Sequence, residues 1–437
     1  MMRAVLVSAL LLGCAAAPVD YAALDAAATA RLRQVDGQRA ETRKDVKALL
    51  AAPLTAESAG RIALLNNRSA RAAAEELGIA QAELAGVKRL PNPTLEAALR
   101  FQPHGDAEID VAAMIDVTAL LFALSRGGAA EEEVAAARLD AVGALIDLGF
   151  DARRAFVEYL AALELLELRQ SVFAAFDASA AAAERLREAG NLTLLAQANE
   201  QALREESRSL VGLAQAEARA AREKLNALLG VFGDDAGWQA VARLPELPAR
   251  ELATERLERD AVLQSLELTA AKQHYAAAAR QAGIVETAGW LPELKAGVSA
   301  ERAEEWGVGP AVELELPLFY QGQGEAGVAR ARTKQREHAY AALAVDVRSA
   351  ARATRARLDA ARVAALHARD VVLPLRQRVV QQSQLEYNGM LIGVFELLAA
   401  KREQLAAAEQ YLQLRRDYWL ARLSAEQLLA GRRGHVD

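Results

Sequence analysis

The chain has 437 residues, a length that on its own favours two or three domains. Alanine dominates the composition, aromatic residues make up 5% and there are 11 prolines, which together favour long helices over a compact mixed sheet. The formal net charge is -6, and acidic and basic residues are interleaved along the chain. This charge pattern excludes the basic stripe that a nucleic-acid-binding protein needs, so nucleic acid is not an expected partner.

The N-terminus has the pattern of a secretory signal peptide. Arg3 precedes an apolar run over 4–12, and small residues follow around Cys14, the only cysteine. A lone cysteine excludes an intrachain disulfide and a cysteine-based metal site. The segment "LLGC" also resembles the bacterial lipobox, in which the cysteine is lipidated, and Ala15 after it favours sorting to the outer membrane. We therefore predict a signal peptide over 1–13 and lipidation at Cys14; the alternative is an ordinary signal peptide with an incidental cysteine.

The rest of the chain is a duplication with a period of about 200 residues. This shift places "VKRLPNPTLEAAL" over "TAGWLPELKAGV", and "LNALLG" near "AEQLLAG". Each half is predicted to run helix, two strands, long helix, reversal, long helix. The predicted segments are a lipidated leader over 14–55, a first repeat over 56–230, a linker over 231–247, a second repeat over 248–431 and a tail over 432–437.

Two strand pairs are predicted, one in each half. The first pair covers about 94–101 and 107–119 around the turn-like "QPHGD" (102–106), and the second covers about 293–302 and 308–318. No later stretch reaches the ~18 uncharged apolar residues of a membrane-spanning helix. If the protein crosses a membrane, it must do so as a β-barrel, and four strands need other chains to close one.

The helical stretches are long for a globular protein. From about Gly127 to Glu188 there is no proline, and roughly 60 residues at 1.5 Å each make a rod on the order of 90 Å. A matching stretch from about Gly327 to Tyr387 is interrupted only by Pro374. The helices after each reversal, about 192–229 and 391–429, are the predicted packing partners of these rods. The expected fold class is mainly α with a small β part.

The sequence resembles the TolC family of outer-membrane efflux channels over about 56–429. The resemblance is carried by "LPNPTL", "LPLFYQGQGEAGVARAR" and "LEYNGMLIGVFELLAAKREQL", by the duplication and by the lipobox. It implies a homotrimer in which long α-helical hairpins form an α-barrel across the periplasm and the four strands of each protomer complete a 12-stranded transmembrane β-barrel. Polar strand residues would face the lumen and apolar ones the outer-membrane lipid. The implied partners are a periplasmic adaptor (membrane fusion) protein and an inner-membrane pump, such as one of the resistance-nodulation-division type.

By the same resemblance, the two reversals are the helical tips that touch the adaptor. Glycine permits the left-handed backbone that reverses a helix, and apolar residues at an exposed tip favour a covering partner. The alternative is a plain helical turn at each place. The matching residues are Gly190, Asn191, Leu192 and Thr193 in the first half and Tyr387, Asn388, Gly389, Met390, Leu391 and Ile392 in the second.

Glu396 matches the acidic residue with which the family narrows the periplasmic entrance. Three copies around one axis would repel one another and attract cations. Ala399 stands where the family can carry a second acidic residue, which departs from a double acidic ring. The alternative for Glu396 is a solvated glutamate on a helix face. Because only the second reversal carries Tyr387 and Glu396, we expect the second hairpin to govern opening and the first to brace it.

Other motifs point away from enzymes and cofactors. The segment "YQGQGEAG" lacks the Lys-Ser/Thr end of a phosphate loop, so a strand-to-helix corner is expected there, and Gly127 and Gly128 are read as the matching corner of the first half. The histidines are scattered, and no nucleophile, base or ligand set is grouped. The predicted function is a passive exit channel with no cofactor; the alternative is a periplasmic coiled-coil scaffold lipoprotein without channel activity.

Overall fold

The computed structural model describes residues 19–36, 46–101, 108–302 and 305–434. These residues form two compact units, each of which takes segments from both halves of the chain. The first unit contains the described residues of 72–142 and 266–346 together with 19–24, and the second contains those of 25–71, 143–265 and 347–434. The predicted lipidation site Cys14 and the predicted turn over 102–106 lie outside the described residues.

Within the described residues, four helices precede the sheet. They are α1 (Tyr21–Asp36), α2 (Val46–Ala51), α3 (Ala56–Asn66) and α4 (Arg68–Val87). Helix α3 starts at a capping box, in which the Thr55 side chain accepts from the Ser58 N–H and the Ser58 side chain accepts from the Thr55 N–H.

The strands form one antiparallel four-stranded sheet in the order β1-β2-β3-β4. The strands are β1 (Thr94–Arg100), β2 (Glu108–Asp116), β3 (Glu293–Arg302) and β4 (Trp306–Glu315). Gly297 lies in the middle of β3, where an added Cβ would lie 1.9 Å from the Ala113 carbonyl oxygen, so glycine allows β2 and β3 to approach there. The edge strands are β1 and β4.

Long helices make up most of the remaining chain. Helix α5 (Val117–Glu188) and α6 (Leu194–Leu229) form the first hairpin. A 3-10 turn (Gly233–Gly237), α7 (Leu257–Gln264) and α8 (Leu266–Ala288) follow. The second hairpin consists of α9 (Gln323–His367), a π-helical turn (Ala368–Val372), α10 (Leu373–Asn388) and α11 (Val394–Leu429).

Proline explains the break in the second hairpin. Pro374 lies at the N-terminal end of α10, directly after the π-helical turn. Because proline has no N–H and its ring crowds the preceding turn, the regular α-helical bonding pattern cannot pass through it. Helix α5 of the first hairpin has no such break over its 72 residues.

The duplicated half predicted from the sequence is confirmed. Helices α6 and α11 begin and end 200 residues apart, and both hairpins reverse directly before them. Each half also contributes two neighbouring antiparallel strands to the sheet. Helix α6 ends at Gly230, which has a φ of 67°, and Gly431 takes a φ of 93° after α11.

The structure corrects one local expectation and confirms another. Gly127 and Gly128 lie inside α5 and do not form a corner, because α5 begins at Val117, directly after β2. The glycines therefore sit where small side chains allow close neighbours: Cβ atoms there would lie 3.3 Å from Lys88 and 3.4 Å from Arg280. At the other corner, Gly322 has a φ of 71° just before α9 begins, as expected for "YQGQGEAG".

Candidate functional site: the two hairpin tips and the sheet

The first tip, residues 189–193, closes the first hairpin by a Schellman motif. Gly190 has a φ of 76°, its N–H donates to the Arg187 carbonyl at 2.9 Å, and the Asn191 N–H donates to the Leu186 carbonyl at 2.8 Å. The next helix, α6, starts at Thr193, whose hydroxyl oxygen accepts from the Ala196 N–H at 3.2 Å. Both helix ends at this tip therefore have local hydrogen bonds to some of their terminal backbone groups.

The second tip, residues 387–393, has the same geometry built from different residues. The Met390 N–H donates to the Tyr387 carbonyl at 2.9 Å, and the Leu391 N–H donates to the Glu386 carbonyl at 2.8 Å. The left-handed residue is Met390, with a φ of 58°, whereas Gly389 has a φ of -82°. The expectation that glycine supplies the left-handed backbone is therefore right at Gly190 and wrong at Gly389.

The two helix starts at the tips also differ. Gly393 precedes α11 and provides no side-chain cap. Thr193, at the equivalent position of the first tip, provides one. The first turn of α11 therefore depends on backbone bonds such as the one from the Glu396 N–H to the Gly393 carbonyl at 3.2 Å.

Both tips expose apolar side chains. Met390 is 93% exposed and Leu391 78%, and Leu194 and Leu195 are also exposed after the first tip. Leu192 and Ile392, which the sequence pointed to, are half-buried. Exposed apolar side chains concentrated at one place are typical of contact surfaces.

Glu396 is exposed in the first turn of α11, close after the second tip. A negative charge is favourable there, because the N-terminus of a helix carries a partial positive charge. Ala399 is exposed one turn further along the same helix. The structure thus places the predicted entrance carboxylate beside the second tip and leaves its side chain open to solvent.

Close to the tips, the first hairpin holds itself together by polar contacts between its own helices. The Ser179 hydroxyl of α5 donates to the Glu200 carboxylate of α6 at 2.5 Å, and both side chains are buried. The Arg204 guanidinium donates to Asp177 at 2.6 Å. A buried carboxylate needs such a donor, so these contacts fix the two helices in register.

Several contacts join the hairpins to each other. The Arg402 guanidinium of α11 lies over the Phe176 ring of α5, 5.6 Å from the ring centre. The Arg169 guanidinium of α5 donates to the Glu409 carboxylate of α11 at 2.8 Å. The second hairpin is therefore held against the first by side chains at more than one position along the helices.

A more buried joint lies farther from the tips. Arg415 of α11 is 6% exposed and donates to the Glu164 carboxylate of α5 and, at 2.8 Å, to Glu246. The Leu244 N–H also donates to Glu164, at 2.5 Å. Burial and a hydrogen bond to Glu246 together raise the pKa of Tyr411 to about 12, so this phenol stays protonated.

A second carboxylate, Glu251, bridges the two long helices of the second hairpin. It accepts from Arg362 of α9 at 2.7 Å and from the Arg422 guanidinium of α11 at 3.0 Å. Tyr418 donates to it at 2.7 Å. Burial raises the pKa of Glu251, but hydrogen bonds from Tyr418, the Leu252 N–H and Arg362 outweigh that effect and hold the pKa below its usual value.

The segment that carries Glu246 and Glu251 follows the 3-10 turn and packs along the helices of the second unit. We call residues 239–252 the strap. It begins at a parallel bridge between Ala240 and Leu54 and is also held by Trp419, whose indole N–H donates to the Pro245 carbonyl at 2.9 Å. The strap supplies hydrogen-bond acceptors to α11 and α9. These bonds hold the two helices together at the end of the second hairpin that lies opposite its tip.

The sheet has one apolar face and one polar face. Residues that pair across antiparallel strands point to the same side, and the register puts Leu95 opposite Ala113 and Val298 opposite Pro310. The apolar face is widely exposed, with Leu95 at 75% and Val308 at 71%. Its larger apolar members are Leu95, Leu99, Ile109, Val111, Ile115, Leu294, Val298, Trp306, Val308, Val312 and Leu314.

The opposite face of the sheet is rich in charges. Arg100 pairs with Asp110 at 3.0 Å, and Lys295 pairs with Glu313 at 3.0 Å. An exposed apolar face opposite a charged face, in a sheet with two edge strands, is not the arrangement of a sheet buried against a protein core.

In the first unit, three successive glutamates of α5 each meet a cation from another helix. Glu131 pairs with Lys88 at 2.6 Å and Glu132 with Arg280 at 2.9 Å. His274 contacts Glu133 through Nδ1 at 2.7 Å and Asp140 through Nε2 at 3.3 Å. Hydrogen bonds to Asp140 and Glu133 outweigh burial and raise the pKa of His274 to about 9.

The structure adds two findings on membranes and metals. Within the described ranges, none of the helices has the length and apolar character that crossing a membrane requires. In the same part of the chain, no group of three or more His, Cys, Asp or Glu side chains is arranged to hold a metal ion. His104 and His435 lie outside that part.

Comparison with known proteins identifies the fold. A scan against protein-family models and a sequence search among curated proteins find no match. Solved structures do match. The Campylobacter jejuni CmeC outer membrane channel superposes with a TM-score of 0.71 at 14% identity, covering 92% of this chain and 90% of that one. The chain has the fold of the TolC family.

Two further structures agree with this assignment. A membrane protein from Pseudomonas aeruginosa gives a TM-score of 0.71 at 19% identity, covering 88% of this chain and 92% of that one. The open state of the Neisseria gonorrhoeae MtrE outer membrane channel gives 0.67 at 20% identity, covering 86% and 89%. The TolC-type fold therefore extends over nearly all of the chain.

Some features of the site were missed from the sequence. Glycine propensity points to Gly190 and Gly389 as the left-handed residues of the two tips, whereas the left-handed residue of the second tip is Met390. A strict 200-residue shift, which the helix bounds follow, places Met390 over Gly190 and would have revealed it. The Ser179–Glu200 contact joins two helices and left no local signal in the sequence.

Proposed function

We propose that the protein is the outer-membrane exit channel of a tripartite efflux or secretion system, conducting substrates passively from a periplasm-spanning pump to the exterior. The observation that carries this proposal is the sheet, whose widely exposed apolar face lies opposite a charged one, within a TolC-type fold. Lipid suits the first face and a water-filled lumen suits the second. Energy for transport would come from the inner-membrane pump, and the channel itself would carry out no enzymatic step.

The proposed assembly is a homotrimer with a 12-stranded barrel. Strands β1 and β4 are the two edges of the sheet in one protomer. Unpaired edges in lipid are untenable, because each free N–H and C=O is left without water. Pairing β1 of one copy with β4 of the next satisfies both edges and closes the sheet into a barrel.

The tips are the proposed contact with a periplasmic adaptor protein. Their support is the exposure of Met390 and Leu391 at the second tip and of Leu194 and Leu195 after the first. These side chains would be covered in the assembled system, and the inner-membrane pump would be reached through the adaptor.

Glu396 is the proposed pore constriction. Its support is its exposure beside the second tip. Three copies brought around one axis would form a ring of negative charge that attracts cations and binds multivalent ones. Lipidation at Cys14 is proposed on the sequence pattern and would anchor each protomer to the outer membrane.

The test is the state of the protein in its membrane. We expect the chain in the outer-membrane fraction, as a heat-resistant trimer in detergent with β-sheet signal, and labelled by a radioactive fatty acid through Cys14. The Cys14→Ser variant should lose the label. A soluble elongated dimer in the periplasmic fraction would support the coiled-coil scaffold and contradict the channel.

A further inference from the structure

Met390 takes a backbone conformation that the chain otherwise gives to glycine. Among the described residues, it is the non-glycine residue with a positive φ, at 58°. The other left-handed positions are occupied by Gly190, Gly230, Gly233, Gly322 and Gly431. Among the described left-handed positions, position 390 is therefore the one that carries a side chain.

The exception carries backbone strain. A side chain with a Cβ crowds its own backbone in the left-handed region, and methionine lacks the short polar group that lets Asn or Asp bond locally there. Glycine occupies the equivalent position of the first tip and is also the immediate neighbour, at Gly389. Residues held in such strained conformations cluster at functional sites.

Among the residues that the structure describes, none packs against the Met390 side chain closely enough to bury it and offset that strain. It is 93% exposed, and Leu391 beside it is 78% exposed. The Schellman bonds at this tip are made by backbone groups and would form equally well with glycine at position 390. The side chain is therefore available for contact with a partner outside the protomer.

The chemistry of the second tip indicates what it meets. The segment "YNGMLIG" over 387–393 contains no charged residue, which suits an uncharged apolar pocket rather than an acidic headgroup or a nucleic acid. Methionine is flexible and polarizable, so it fills irregular apolar pockets on other proteins.

We infer that Met390 is the anchor residue of the second tip, inserting into an apolar pocket on the periplasmic adaptor and determining which adaptor the channel accepts. This inference rests on the proposed function and assigns the contact to one side chain. It also gives the two tips different roles, because the first tip has glycine, with no side chain, at the equivalent position.

The experiment compares four proteins: wild type, Met390→Gly, Met390→Leu and Gly190→Ala. Met390→Gly removes both the strain and the side chain, and Met390→Leu keeps an apolar side chain. Gly190→Ala is the control for backbone strain in the melting measurement, because an added Cβ at the first tip would have nothing within 4 Å and adds only that strain. The probe is the purified periplasmic adaptor that mass spectrometry identifies in a chemical crosslink to the wild-type chain in intact cells.

We expect Met390→Gly to weaken adaptor binding by about tenfold or more, since an apolar side chain of this size leaves its pocket. Met390→Leu should bind within about threefold of wild type, because volume-conserving apolar exchanges are well tolerated. Melting of purified trimers should show Met390→Gly no less stable than wild type, and Gly190→Ala lower by about 1–3 °C.

Three results would overturn the inference. If Met390→Gly binds the adaptor like wild type, Met390 is not the anchor, while the proposed function stands. If Met390→Gly dissociates the trimer, the side chain packs against another copy of this chain instead. If wild-type trimers neither crosslink to an adaptor nor bind one, the proposed function itself fails and the inference with it.

Discussion

The two hairpin tips reach the same backbone geometry with different local support. The first has glycine at the left-handed position, a threonine cap on the following helix and the buried Ser179–Glu200 bond nearby. The second has Met390 at the left-handed position and an uncapped start at Gly393. A π-helical turn and Pro374 also interrupt the helix that leads to it.

This difference in local support implies a difference in local stability between the two hairpins. Caps, buried hydrogen bonds and unbroken helices stabilise the first hairpin locally, while strain and a helix break lower the local stability of the second. The second hairpin instead depends on contacts with its surroundings, through Arg402, Arg415 and Glu251. We therefore propose that the first hairpin is a brace and the second the element that opens.

The largest effect should come from breaking the joint between the hairpins. Arg415→Ala leaves the Glu164 carboxylate, which is 14% exposed, without its cation, and we expect a loss of about 3 kcal/mol in the free energy of unfolding. Denaturant unfolding of the purified protein measures it. Arg416→Ala is the matched control, because Arg416 and its partner Asp417 are both largely solvated, and its effect should stay within about 0.5 kcal/mol. Equal losses in the two variants would show that the joint does not hold the hairpins.

A pH titration tests the first unit while leaving both tips unaltered. Because the pKa of His274 is raised from 6.5 to about 9, its contribution to stability is fully present below pH 6.5 and is lost as the pH rises through about 9. We expect about 1–2 kcal/mol, since the partner carboxylates are half exposed and screened by water. Melting temperatures of wild type and His274→Gln at pH 6 and pH 10 measure it, and the gap between the two proteins should narrow at the higher pH. A gap that does not depend on pH would rule out the charged contact.

The smallest effects should come from exchanging the helix caps of the tips. Thr193→Ala removes the hydroxyl that accepts from the Ala196 N–H and should destabilise the start of α6 by about 0.5–1 kcal/mol. Gly393→Ser gives α11 the side-chain cap that it lacks and should stabilise the start of this helix by about 0.3 kcal/mol. Hydrogen exchange of the first-turn amides reads both changes. If the two substitutions shift exchange in the same direction, capping does not account for the difference between the tips.

The sequence was sufficient to predict the architecture because its signals are repeated and local. Long alanine-rich runs, two strand pairs and a 200-residue period all translate directly into helices, strands and duplicated hairpins. The positions of the turns are harder to predict from the sequence. Gly127 and Gly128 look like a corner but lie within α5, because helix continuation there depends on neighbouring helices and not on local propensity.

The details of the site were hidden for a similar reason. Which residue of "YNGMLIG" takes the left-handed conformation is decided by where α10 ends, and glycine propensity alone points to the wrong position. The contacts of Glu200, Arg415 and Glu251 join residues far apart in the chain. Their pairing depends on how the helices pack, which no local pattern records.

We propose that three copies form a conducting channel whose entrance is set by the second tip. Single-channel recording of purified trimers in planar lipid bilayers tests it most directly, with wild type beside Glu396→Ala and, as the control at the first tip, Glu188→Ala. We expect discrete cation-selective conductance in wild type, a changed conductance and weaker cation selectivity in Glu396→Ala, and no change in Glu188→Ala. Conductance and selectivity that are the same in all three proteins would contradict the role of the second tip, and the absence of any conductance in wild type would contradict the channel.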